Sequence, residues 1–158
     1  MMSVETKTNL TPHTISSLQE LIQINVDSRD GYRHAADATN DLTLQSMFVQ
    51  IALDRDAQAG ELGQFVAWNG EYPREQGSIS AAILRAWMSI REALSSDDRL
   101  AVLSEMEAGE DAIMSAYKSA LENLGGSPIN DVLMRQYGAV SNTHDRIRDL
   151  RDDCRCEP

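Results

Sequence analysis

Apolar residues recur along this chain at intervals of three and four, the spacing of one face of an α-helix. Alternation of apolar and polar positions, the mark of a half-buried strand, is nearly absent. The pattern predicts a first helix over 15–38, with Leu18, Leu21/Ile22, Asn25, Ser28, Tyr32 and Ala35/Ala36 on its stripe. Ser17 followed by Glu20 reads as a capping box at its start. A second helix is predicted over 41–69, with Asp41 as N-cap. Its stripe is Leu44, Met47/Phe48, Ile51, Arg55, Gln58, Leu62 and Phe65/Val66, and Gly70 with Pro73 beyond ends it. A shorter helix over 79–94 opens at Gly77-Ser78 and carries Ile83, Trp87, Ile90 and Leu94. Ser95 to Asp98 breaks it and caps a helix over 97–123, with Leu100, Leu103, Met106, Glu110, Ile113, Tyr117, Ala120/Leu121 and Leu124. Gly125-Gly126 stops that helix. Ser127 at N-cap and Pro128 at N1 open the last one, which fades near Asp152. Its stripe is Ile129, Val132/Leu133, Gln136/Tyr137, Val140, His144, Ile147 and Leu150.

Link lengths set the topology. The first two long helices, and the last two, are joined by short links, so each pair forms an antiparallel hairpin. The segment between the second and third long helices is far longer and carries its own helix. A helix of 25 residues is about 37 Å long, and this segment can travel that distance. The expectation is an all-α chain: a ferritin-like four-helix bundle over 15–152, with a long crossover carrying an extra shorter helix. Residues 1–14 and 153–158 are expected to be tails.

Polar residues interrupt the apolar stripes. Asn25, Arg55, Gln58, Glu110 and His144 occupy mid-helix stripe positions, and charges are rarely buried unless paired. Helices of this length bring them to one central layer, where di-metal bundles hold their ions. Such a site takes a Glu from each of two helices and a Glu-x-x-His from each of the other two. Glu110 fits, seven residues before Tyr117. Asn25 stands where the first helix needs a carboxylate, Ser141 where the last needs Glu, and Arg55-x-x-Gln58 has neither Glu nor His. Roughly two of six ligands remain, and the Arg55 guanidinium repels a divalent ion. The layer therefore reads as a metal-free network in which Arg55 pairs with Glu110. An off-pattern set, Glu61, Glu107, Glu110 and His144, is the alternative, with iron as the cofactor. Asp27, Asp30 and His34 read as a solvated acidic face, and Tyr32, Tyr117 and Tyr137 as core residues whose hydroxyls reach the layer. Gly31, Gly60 and Gly109, within helices, ask for a packing reason, as does Gly138.

The chain has 158 residues, 25 acidic and 14 basic, for a net charge of −11. That balance argues against a nucleic-acid partner, which needs a basic stripe, and against docking on an anionic membrane. No stretch approaches the ~20 apolar residues of a membrane span, and the first residues carry no apolar leader core. The expectation is a cytoplasmic protein. Cys154 and Cys156, the two cysteines, are too close for an unstrained bridge and too few for structural zinc, and read as free thiols on a frayed end.

Several blocks together carry a family resemblance: Gly31-Tyr32 with Ala35-Ala36; Arg55 with Glu61-Leu62; and Trp87-Met88. To these add Glu107 to Asp111 with Tyr117, Tyr137, His144 to Arg148, and Leu150 to Asp152. Over roughly 15–152 the chain resembles an uncharacterised bacterial family of ferritin-like four-helix-bundle proteins, a domain of unknown function. The resemblance implies that fold and no particular activity. The likeness to iron-storing ferritins is more distant and reaches the topology and the Glu110/Tyr117 spacing, not the ligand set. The expected role is a non-enzymatic structural or interaction protein, in stress response, with a homo-oligomer formed through Trp68, Trp87 or the crossover helix and a protein partner not specified. The competing expectation is an iron-binding protein or oxidoreductase using the off-pattern site.

Overall fold

The computed structural model describes residues 4–74 and 81–156, apart from the side chains of residues 82, 83 and 156. Five α-helices account for most of them: α1 (Pro12–Ala38), α2 (Leu42–Trp68), α3 (Ala81–Ser95), α4 (Arg99–Asn123) and α5 (Asn130–Cys156). The chain is all-α, with no strand element among the described residues. The Gly77-Ser78 start read for the short helix lies outside the described residues, as does the side chain of Ile83.

Local chemistry explains the ends. α1 starts three residues before the expected position because Thr11-Pro12 is the stronger signal. Thr11 Oγ accepts from the Thr14 N–H at 3.2 Å and Pro12 takes the first turn, a cap contributing about 1 kcal/mol. Ser17 therefore lies inside the helix instead of at its cap. The residues before α1 are docked: Leu10 is buried, its N–H donates to Asn69 Oδ1 at 2.8 Å, and Asn69 Nδ2 donates to Lys7 O at 3.0 Å. Asp41 caps α2 by accepting from the Thr43 and Leu44 N–H groups, and Asp98 caps α4 by accepting from Ala101. Asp41 also takes two bonds from Arg99, at 2.7 and 3.0 Å, which ties the α1–α2 corner to the start of α4. α5 runs to Cys156, past the point where its apolar stripe fades. Cys154 is accordingly a free thiol on a helical turn, packed against the core.

Pairing order gives the helix directions. Arg29 meets Asp56 while Ala36 meets Gln45, so α1 and α2 run antiparallel. Tyr117 meets Gln136 while Glu107 meets Arg151, so α4 and α5 do too. Two cores confirm the register. One collects Leu18, Ile22, Leu62, Val66, Ile113 and Leu133; the other collects Tyr32, Leu44, Phe48, Leu103, Met106 and Ile147. The first thus uses the late half of α2 and of α4, and the second uses the early half of both. α2 and α4 are therefore parallel, and α3, which lies between them in the chain, packs against α4 and α1.

Gly31 shows how α3 is seated. A Cβ there would lie 2.6 Å from Trp87 Cδ2, so only a glycine lets the indole rest on the α1 backbone. Trp87 then meets Tyr32 edge-on, with centroids 4.7 Å apart. Gly60 and Gly138 have open space around them, so close approach does not account for either.

Candidate functional site

Between the two cores the interior turns polar. Arg55 on α2 has no exposed surface and is the largest fully buried side chain. Its Nε donates to Ser28 Oγ on α1 at 3.3 Å, its Nη1 to Gln58 Oε1 at 3.3 Å, and its Nη2 to Glu110 Oε1 on α4. Both members of the Arg55–Glu110 pair are completely inaccessible. The layer continues through a tyrosine. Asn25 Nδ2 donates to the Tyr117 hydroxyl at 2.8 Å, and that hydroxyl donates to Gln136 Oε1 on α5 at 2.7 Å. Gln136 Nε2 donates onward to the Gln58 carbonyl and to Glu61 Oε1. All four long helices contribute a side chain.

The electrostatics follow from burial. Desolvation opposes the charge on Arg55, yet its neighbours together, the Glu110 carboxylate first among them, offset this and hold the guanidinium above its ordinary value. Burial pushes Tyr117 up to about 12, so its hydroxyl stays a neutral donor. Burial and then the Glu110 carboxylate hold Tyr32 well above the usual phenol range, with Arg55 opposing.

The structure joins Asn25, Arg55, Gln58 and Glu110, and places His144 elsewhere. The inward position of that α5 turn is Thr143, which is buried. One residue on, a helix has turned about 100°, and His144 faces α4 at the boundary with solvent. Its Nε2 lies 2.9 Å from Asp111 Oδ1 and 3.6 Å from Glu107 Oε1, and its Nδ1 lies 3.2 Å from Asp145 Oδ1. Ser28 and Gln136 take the places in the network that histidine was expected to share. Both stand on the apolar stripes, and that mismatch was the available signal. Tyr137 packs at the edge of the first core.

A metal centre needs a converging donor set, and these residues do not form one. Glu61 is taken by Arg135 at 2.6 and 3.0 Å, which lowers its pKa, with Gln136 helping. Glu107 is taken by Arg151, and Glu110 by Arg55. The off-pattern four, Glu61, Glu107, Glu110 and His144, are thus shared among separate ion pairs. Among the described residues, no group of three or more His, Cys, Asp or Glu is placed to hold an ion. Glu110 Oε2 and Asn25 Oδ1 are buried without a hydrogen-bond partner, but the permanent cation beside the carboxylate opposes a second one.

With this geometry in hand, the comparison with known families decides the affiliation. A family model described as a domain of unknown function, DUF2383, matches residues 13–123. The chain belongs to the DUF2383 family. The DUF2383 match spans α1 to α4 and so includes Asn25, Ser28, Arg55, Gln58, Glu110 and Tyr117, while Gln136 and His144 lie beyond it. No curated protein matches the chain. No helix among the described residues is long and apolar enough to cross a membrane.

Proposed function

We propose that this chain is a ferritin-like four-helix bundle in which an internal ion pair stands where relatives of that architecture hold metal. It acts as a non-enzymatic structural or interaction protein in the cytoplasm. The observation that carries this reading is the fully buried Arg55 guanidinium bonded to Glu110. Parallel α2 and α4, joined by a segment that includes α3, support the one-crossover connectivity of that class. A cation fixed on the central carboxylate supplies locally the charge that an ion would otherwise bring.

Self-association is part of the reading. Leu42, Val49 and Leu53 stand exposed along one side of α2, with Trp68 exposed at its end. Trp87 instead packs inward on Tyr32. On a chain of net charge −11, a charge-poor side is where a second copy meets least repulsion.

Anaerobic iron(II) titration of the purified protein tests the central statement, with metal counted per chain and oxygen uptake followed on readmitting air. The expected result is no stoichiometric tight binding. Two tightly held irons per chain, with oxygen consumed, would replace this reading with the oxidoreductase one.

A further inference from the structure

A second site lies away from the polar layer. α1 and α3 leave a cleft of about 490 Å³ between them, within the range of small-molecule sites. Its apolar lining comes mostly from α3: Leu84, Trp87, Ile90 and Leu94. Its polar lining on α1 is Asp27, Asp30 and His34, with Arg91 on the α3 side. Gly31 forms the floor, and its missing side chain is what brings the indole down to the α1 backbone.

The charges of this cleft are not equivalent. Asp30 is already paired, with Arg29 at 2.9 Å. Arg91 is exposed and therefore hydrated, so an anion gains little from it. Asp27 is half-buried, and its side-chain partner is the neutral Gln23 amide at 2.9 Å. Among the described residues no cation pairs with it. Burial, against the help of Gln23, raises its pKa, and Asp30 raises it further. A half-buried carboxylate that lines the same cleft as an indole gains from a cation placed there, through a charge-assisted bond and through the ring. Leu84, Ile90 and Leu94 then offer an apolar wall for the rest of such a molecule.

We propose that the α1–α3 cleft is a binding site for a small organic cation with an apolar body, its ammonium on Asp27 against Trp87 and its hydrocarbon along Leu84, Ile90 and Leu94. The site is independent of the Arg55 layer and of the scaffold role proposed above.

Hexylamine, hexanol and hexanoate are the probes, and Trp87 fluorescence is the readout in a Trp68→Phe background. The expected result is a saturable change with hexylamine. Hexanol and hexanoate should bind at least about tenfold more weakly, the worth of one charged hydrogen bond. Asp27→Asn should weaken hexylamine by about the same factor, while Asp152→Asn, at a remote exposed acid, leaves it unchanged. In unsubstituted Asp27 protein, affinity should rise from butylamine to octylamine as apolar length grows, an outcome that does not depend on any cleft variant folding. Equal binding of hexanoate would overturn the choice of a cation. A hexylamine response that ignores Asp27→Asn, or no chain-length dependence, would reduce the effect to diffuse attraction by an acidic surface. No saturable response up to about 20 mM, where even ligands this small should register, would remove the site.

Discussion

Glu107 and Glu110 lie one turn apart on α4 and meet different fates. Glu110 is wholly inaccessible and bonded to an equally buried arginine from α2. Glu107 keeps about a sixth of its side-chain surface exposed, at 17%, and is shared between Arg151 and His144 of α5. Both are glutamates in ion pairs. Only the first has been taken wholly out of water, so only there is each partner obliged to have the other. The second keeps contact with solvent and has two partners, so the loss of one leaves it less exposed to an unpaired buried charge. The lesson is that the angle of a residue around its helix, more than its chemical type, decides whether a charge is structural.

The largest expected break of this contrast is Arg55→Leu. It leaves Glu110 buried and uncompensated and should cost about 3–5 kcal/mol in urea unfolding. Adding Glu110→Gln should restore part of the loss. Next is Tyr117→Phe, which strands Gln136 Oε1 and one of the two Asn25 amide hydrogens, the other staying on the Leu21 carbonyl. About 1–3 kcal/mol should go, measured the same way. His144→Ala on the wet side should change stability by less than about 1 kcal/mol. About 1 M salt should leave the Arg55→Leu cost in place.

The smallest effect concerns pH. Arg135 holds Glu61, and Arg99 holds Asp41, below their ordinary carboxylate values. A depressed folded value means the stability they contribute is complete above the unfolded pKa, near 4. It is lost as pH falls through that value toward the lower folded one. Glu61→Gln should therefore flatten the acid side of the melting temperature profile below about pH 5, and an unchanged slope would show that the Arg135 pair is spent in solvent.

The helices and most of their ends were readable because caps and glycine stops are local signals: Asp41, Asp98 and Gly70 need no tertiary context. Arg55 and Glu110 could be matched in advance as the two full charges on apolar stripes. His144 could not be placed, because Val140 and Ile147 are seven residues apart and the inward position between them can be either 143 or 144. Packing chose Thr143, whose hydroxyl bonds back to the Ala139 carbonyl at 3.2 Å. Ser28 and Gln136 are ambiguous for a different reason. A serine or glutamine on a stripe fits equally well at a core edge or in a network, and only a partner from another helix tells them apart. The seating of Trp87 on Gly31 is likewise a contact between distant segments, which no local pattern reports.

The account turns on whether Arg55 and Glu110 act as one unit. A double-mutant cycle with Arg55→Leu and Glu110→Gln, followed by urea unfolding, measures this directly. The account predicts strong coupling: the double variant should be more stable than the sum of the two single losses allows, by at least about 2 kcal/mol. Losses that simply add would contradict it, and would mean that the two charges are not held by each other.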